Sequence, residues 1–275
     1  MERIEAHRLF FANLVTANAG LPPKSELAAA FASTPREKFV GPPPWRVFTR
    51  RGYIETLSDD PAFLYQDVVV SLGSKESLNN GQPTLHAGCI AALAPKKGEH
   101  VVHVGAGSGY YTTLLAKLVG ETGAVDAYEI EPELAQRAAD NLAEFPNVTV
   151  HHRSGAEGPL PECDVIYVNA GATHPLAVWL DALRPNGRLV VPLTPAEEPG
   201  AMLLVTKQQD GAYAARFLMQ VQFVPCIGAR DEPAAQKLTK AFRDRNWSNV
   251  KSLHRNDEPD STCWCSGPGW WLSTN

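Results

Sequence analysis

Apolar and polar positions change period along the chain, and the changes mark out its elements. Ile4, Leu9, Phe10, Leu14 and Val15 recur at near-helical spacing over residues 2–18, and Gly20-Leu-Pro-Pro ends that segment. Ser25 is placed to cap a second helix through Glu26-Leu-Ala-Ala-Ala-Phe-Ala. Gly41-Pro-Pro-Pro-Trp45 reads as a loop, residues 51–64 as irregular, and Val68-Val-Val-Ser-Leu72 as a short strand. Asn80-Gly81 is a turn signal, and Pro83 suits the first turn of a helix over residues 84–93.

From residue 95 the pattern alternates. Strands are predicted at 100–104, 123–129, 148–152, 163–169 and 187–191, with helices at 112–119, 133–142 and 174–183 between them. Strands and helical segments alternating at short spacing predict parallel βαβ units and an α/β fold. The alternation stops at a hairpin, 201–207 and 212–224 around Gln209-Asp210-Gly211. A helix over 232–245 and short strands near Val250, Cys263 and Trp270 complete the tail, which holds Trp247, Trp264, Trp270 and Trp271 and is expected to pack on the domain. The organisation predicted is 1–94 as an N-terminal cap and substrate region, 95–225 as a ligand-binding core and 226–275 as a C-terminal extension.

Composition narrows the function classes. With 44% hydrophobic and 20% charged residues and a formal net charge of −5, the chain is an ordinary globular protein and not an electrostatic nucleic-acid binder. No apolar run approaches the roughly 20 residues of a membrane span. The start, Met1-Glu-Arg-Ile-Glu, lacks the basic and apolar regions of a secretion signal, so the cytoplasm is expected. The five cysteines include no C-x-x-C, and Cys263-Trp-Cys265 has the wrong spacing for common zinc sites, so no metal is expected.

The candidate chemistry centres on Val101-Val-His-Val-Gly-Ala-Gly-Ser-Gly-Tyr-Tyr111, a buried strand running into a glycine turn and a helix. Glycines there let backbone approach a ligand, and the helix adds free N–H groups at its start. A dinucleotide G-x-G-x-x-G counted from Gly105 would need glycine at position 110, which is Tyr110. Glu129 closes the next strand, where a carboxylate accepts hydrogen bonds from ribose hydroxyls.

The G-x-G-x-G turn resembles motif I of class I S-adenosylmethionine-dependent methyltransferases, and Tyr-Glu-Ile-Glu-Pro-Glu-Leu after the second strand resembles theirs. A narrower resemblance, to the protein-L-isoaspartate O-methyltransferase family, runs in order from about residue 27 to 195. It rests on Phe31-Ala-Ser-Thr-Pro-Arg-Glu-Lys-Phe-Val40, Tyr65-Gln-Asp67, Gln82-Pro83, Val104-Gly-Ala-Gly-Ser-Gly-Tyr110 with Leu114-Leu-Ala-Lys-Leu-Val-Gly120, and Pro185-Asn-Gly-Arg-Leu-Val-Val-Pro192.

The resemblance implies a Rossmann-like seven-stranded methyltransferase sheet with an N-terminal helical cap and a small C-terminal α+β extension. It implies S-adenosyl-L-methionine as cofactor, held by His103, Gly105, Ala106, Gly107, Ser108, Gly109, Tyr110, Glu129, Ile130, Ser154, Gly155 and Asn169. His103 stands where the family has an acid, and Ser154 where it has an Asp that accepts from the adenine amine. The acceptor site would be formed by Asn79, Gly81 and Gln82. The family's Thr-Ile-Ser run is replaced there by Glu76-Ser-Leu-Asn-Asn-Gly-Gln82, with Ser77 in the threonine place and no hydroxyl on the serine position.

That last departure predicts little turnover of an isoaspartyl peptide. The acceptors considered are a peptide or protein carboxylate or a small molecule; a carboxylate needs no general base, and His86 and His174 are the candidates for an acceptor that does. Two other readings stay open at this point: a nicotinamide oxidoreductase, and a cofactor-binding relic acting in a complex.

Overall fold

A computed structural model describes residues 2–73, 78–196, 198–244 and 246–275. The chain divides into two units, Met1–Glu99 with Ala106–His152, and His100–Gly105 with Arg153–Asn275.

The first unit opens with α1 (Arg3–Asn18) and α2 (Glu26–Ala32). The Ser25 side chain accepts from Ala28 N at 3.2 Å and so caps α2 as its position predicts. Phe11 and Phe31 meet edge-on at 6.0 Å. A hairpin not expected from the sequence follows, β1 (Arg46–Thr49) and β2 (Gly52–Glu55), with β2 inside the stretch 51–64 expected to be irregular and Phe48 opposite Tyr53. Gly52, at φ +105°, supplies the backbone freedom the tight turn requires.

Residues 68–72, expected as a strand, make only isolated bridges, Val47 to Val70 and Ser71 to Asn79. Around its start, the guanidinium of the fully buried Arg36 takes the carbonyls of Leu64 (2.6 Å), Gln66 (3.0 Å) and Val68 (2.6 Å). Beyond Val68 the stretch divides its backbone bonds between two neighbours, Val69 O and Ser71 N going to Phe48 N and Arg46 O, and Val70 O and Leu72 N to Asn80 N and Leu78 O, so neither side forms a regular ladder.

Then come α3 (Pro83–Leu93), α4 (Tyr110–Val119), β4 (Ala124–Glu129), α5 (Pro132–Leu142) and β5 (Val148–His152), with β3 (His100–Val104) belonging to the second unit. β4 and β5 are parallel, pairing Glu129 with His152 at their carboxyl ends.

In the second unit β3 pairs in parallel with β6 (Cys163–Val168), and β6 with β7 (Leu183–Leu193). Val101, Val102 and His103 are fully buried, as a strand covered on both faces requires. The helix expected over 174–183 is shorter, α6 (Ala177–Ala182): Gly171 and Ala172 bridge to Pro225 and Leu193, and Pro175 delays the first turn. β7 in turn starts at Leu183, earlier than predicted.

The antiparallel hairpin forms as β8 (Gly200–Lys207) and β9 (Tyr213–Val221). The tail gives α7 (Glu232–Arg243) and then β10 (Ser252–Arg255), β11 (Cys263–Gly267) and β12 (Trp270–Ser273). These strands carry the sheet on past β9, in the order β9-β10-β12-β11, while Trp247 and Trp264 pack edge-on against Phe217.

Among the described residues no helix is long and apolar enough to cross a membrane, and no group of three or more His, Cys, Asp or Glu could hold a metal ion.

Candidate functional site

In the first unit, Glu129 ends β4 with 7% of its surface exposed. Its Oε2 accepts from Gly107 N at 2.7 Å, and its Oε1 accepts from the backbone N–H groups of Ile130 and Glu131, both at 2.9 Å. Burial raises the carboxyl pKa, and the three backbone donors pull it back toward the ionised form. Three of about four lone-pair directions are thereby used, which leaves Oε2 one position for an external donor. This carboxylate is built into the glycine turn and keeps one acceptor in reserve.

Gly105, Gly107 and Gly109 have φ of +76°, +59° and +93°, a region L side chains rarely adopt. A Cβ on Gly109 would also lie 2.9 Å from Leu142 Cδ1. Ala106 N donates to Tyr128 O at 3.1 Å, and Asn141 Nδ2 donates to Ser108 O at 2.9 Å, so turn, β4 and α5 form one framework. Tyr110 is buried, edge-on to Phe39 at 5.4 Å, and fills core rather than leaving the open space a third dinucleotide glycine would. Ile130 is 39% exposed beside the carboxylate.

The predicted acceptor segment also lies in this unit. Asn79 Oδ1 accepts from Gly81 N at 2.9 Å, and Gln82 Nε2 donates to Asp67 Oδ2 at 2.9 Å. Gly81, at φ +66°, is backed by His86: a Cβ there would sit 1.9 Å from His86 Nε2. His86 is itself buried and stacked on Tyr111 at 3.7 Å. Ser77 lies outside the described residues.

Three residues given no role from the sequence hold this segment. Asp67 Oδ1 caps α3 by accepting from Thr84 N at 2.8 Å. Asn80 Oδ1 accepts from Val70 N at 2.9 Å and from Arg36 Nη2 at 3.3 Å. Their signal was present in Thr34-Pro-Arg-Glu-Lys and Tyr65-Gln-Asp67, but nothing local says that a fully buried arginine faces carbonyls.

In the second unit, His103 is fully buried, parallel to Tyr167 at 5.4 Å, with Nε2 2.7 Å from Asn169 Nδ2. Burial pushes its pKa down to about 3, so the ring is neutral. A Cβ on Gly105 would lie 3.4 Å from the Asn169 carbonyl, an ordinary contact, so it is the φ of +76° and not lack of space that favours glycine there. Ser154 Oγ donates to Ile227 O at 3.0 Å and accepts from Ala156 N at 3.1 Å. Only one lone pair of that hydroxyl is left, less than an adenine-reading carboxylate offers. Gly155 is buried and its carbonyl accepts from Trp179 Nε1 at 2.8 Å. His174 Nδ1 lies 3.1 Å from Thr173 Oγ1.

The pattern of the Protein-L-isoaspartate(D-aspartate) O-methyltransferase (PCMT) family matches residues 14–231. The chain belongs to that family. A protein-L-isoaspartate O-methyltransferase of Ignicoccus hospitalis is 32% identical over 229 residues, covering 81% of this chain and 98% of the relative. A solved protein-L-isoaspartate O-methyltransferase superposes with TM-score 0.67 at 19% identity, over 96% of this chain and 87% of the other. A putative one from Plasmodium falciparum, in complex with S-adenosyl-L-homocysteine, gives 0.63 at 18%, over 80% and 98%.

The family member described here is therefore an S-adenosylmethionine-dependent methyltransferase with the Rossmann-like class I fold. The three positive-φ glycines and the reserved acceptor of Glu129 fit that cofactor. The nicotinamide reading is set aside.

Proposed function

We propose that the chain methylates the free carboxylate of an isoaspartyl-type residue in a peptide or protein. The observation that carries the donor half is Glu129, a buried carboxylate locked to Gly107 N with one lone pair left for a ribose hydroxyl. Ala106, Gly107, Ser108, Gly109, Tyr110 and Ile130 belong to the same unit, while His103, Gly105, Ser154, Gly155 and Asn169 are assigned to the same cofactor on the sequence resemblance. S-adenosylmethionine supplies, when bound, a methyl group on a positively charged sulfur.

What the chain adds is position and dryness. A carboxylate acceptor is already a nucleophile, so no side chain has to remove a proton, and holding it in line and excluding water accounts for the rate. Asn79, Gly81 and Gln82 are assigned to that task. Gly81 is fixed by Asn79 Oδ1 and by His86 behind it, and the Gln82 side chain by Asp67. His86 and His174 are both engaged within the fold, consistent with chemistry that needs no base. Asn79 to Gly81 depart from the family run, yet nothing in the comparisons favours a changed acceptor.

The test is methyl incorporation from labelled S-adenosylmethionine into two peptides that differ only in carrying isoaspartate or aspartate. The expected outcome is base-labile label in the isoaspartyl peptide alone. Equal labelling of both, or none while the cofactor still binds, would refute the acceptor assignment.

A further inference from the structure

Between the proline-rich loop at 40–45 and residues 71–73, the first unit holds an open cavity of about 180 Å³. Its lining includes two guanidinium side chains, Arg46 and Arg137, and no acidic residue, with Pro42, Trp45 and Leu72 among its apolar walls. Sites for a whole cofactor or a drug-sized ligand run to roughly 300–1,000 Å³, so this one suits a single side chain or a chain end.

Arg137, on α5, gives the cavity its charge preference. Its Nη1 donates to Leu72 O at 2.6 Å and its Nη2 to Phe39 O at 3.0 Å, which fixes the planar group between two walls. Both acceptors are neutral, and the two bonds use fewer than half of the guanidinium N–H groups. Partial burial draws its pKa below the ordinary value, while Glu133, one turn back on α5, pulls it up without forming an ion pair. Gly41 also lines the cavity, and a Cβ there would touch Nη2 at 3.4 Å, so the missing side chain keeps that nitrogen clear. Arg46, held over the Tyr53 ring at 5.1 Å, adds positive charge to the same space.

The cavity adjoins both halves of the reaction site. Leu72, in its wall, would lie 3.3 Å from a Cβ on Gly107, and so packs against the glycine turn. Leu72 N donates to Leu78 O at 2.9 Å, Asn80 N donates to Val70 O at 3.0 Å, and Ser71 bridges to Asn79. The same wall is thereby stitched to the segment assigned to the acceptor.

We propose that this cavity receives a second carboxylate of the acceptor chain, from an acidic side chain near the isoaspartyl residue or from the end of the chain, with Arg137 as its partner. The inference rests on the acceptor reading above and deepens it, giving the enzyme a preference among isoaspartyl sites. A carboxylate meets the guanidinium fork with charge-assisted hydrogen bonds, and apolar walls strengthen the attraction beyond its value in open water.

Methyl-transfer kinetics on the full chain test this with isoaspartyl peptides of one length. One flanking residue, walked outward from the isoaspartate, is Glu or Gln, and the carboxyl end is free or amidated. In wild type KM should be about three- to tenfold lower for Glu than Gln at one or two positions, or for the free end over the amide, with kcat unchanged. The first result assigns the cavity to a side chain, the second to the chain end. Arg137→Gln should abolish the preference and leave KM for the neutral peptide as in wild type. Because Arg137 also ties Leu72 to Phe39, Pro42→Glu supplies a second arm: a carboxylate on the exposed rim should reduce the preference with those bonds intact, and Pro42→Gln should not.

Equal KM for every Glu and Gln pair and for both chain ends would overturn the proposal and leave the isoaspartyl reading standing. So would a preference undiminished in Arg137→Gln or, should that variant not fold, in Pro42→Glu. If wild type that binds S-adenosylhomocysteine methylates none of the peptides, the acceptor reading fails and the subsite falls with it.

Discussion

Gly81→Ala perturbs the predicted acceptor segment at a point where the structure fixes the size of the effect. The position has φ +66°, and forcing an L-residue into the left-handed region costs roughly 1–2 kcal/mol. The added Cβ would fall 1.9 Å from His86 Nε2 and 2.7 Å from its Cδ2, so the imidazole has to move. It is 3% exposed and stacked on Tyr111 within 14° of parallel, so moving it disturbs packed core, at about 1–3 kcal/mol.

Together these give about 2–5 kcal/mol of destabilisation in urea unfolding. The steric part vanishes when His86 is also replaced: in a His86→Ala background Gly81→Ala should cost only about 1–2 kcal/mol, and the cycle should return a coupling of about 1–3 kcal/mol. Peptide acceptor KM should rise in Gly81→Ala while affinity for S-adenosylhomocysteine holds. The same cost in both backgrounds, or a cost below about 0.5 kcal/mol in each, would show that His86 does not back this glycine.

Other outcomes follow from the same contacts. Arg36→Met strands the carbonyls of Leu64, Gln66 and Val68 and, at about 1–3 kcal/mol for each acceptor left unsatisfied, should lower stability by about 3 kcal/mol or more in denaturant titrations, with Arg36→Lys recovering only part because one ammonium cannot span three acceptors. His103 stays neutral in the fold down to about pH 3, whereas in the unfolded chain it protonates below its ordinary 6.5. Its contribution is therefore complete above 6.5 and lost as pH falls toward 3, about 2 kcal/mol between pH 8 and 5; His103→Gln should lack that part of the loss in paired urea titrations. Glu129, whose carboxyl pKa is raised by burial, binds more protons folded than unfolded just above the ordinary 4.5, so it makes the free protein less stable as pH rises through that window. Protonation also removes an acceptor, so calorimetric affinity for S-adenosylhomocysteine should weaken on acidification, and Glu129→Gln should flatten the trend.

What could be read from the chain is what is local. The β-branched run at 101–104, the glycines that follow and the acid at 129 are each a short-range signal, and all take the predicted conformations. What could not be read depends on partners far along the chain. Arg36 acts on carbonyls about thirty residues away, and the expected strand at 68–72 divides its backbone bonds between residues 46–48 and 78–80 and forms isolated bridges. The β1–β2 hairpin was hidden because its turn, Arg50-Arg51, has none of the usual turn residues, the glycine coming one place later. His103 was expected to hold cofactor in place of the family's acid; its pairing with Asn169, 66 residues on, is a contact no spacing rule predicts.

The central claim is that the glycine turn and Glu129 together bind a methyl donor. Calorimetry of wild type and Glu129→Ala with S-adenosylhomocysteine and with NADH tests it most directly. Wild type should bind S-adenosylhomocysteine and not NADH. Loss of a charged acceptor, worth about 1.5–3 kcal/mol, should weaken the complex roughly 10- to 150-fold in a variant that still unfolds cooperatively. Affinity unchanged by Glu129→Ala, or NADH binding in place of S-adenosylhomocysteine, would contradict the account.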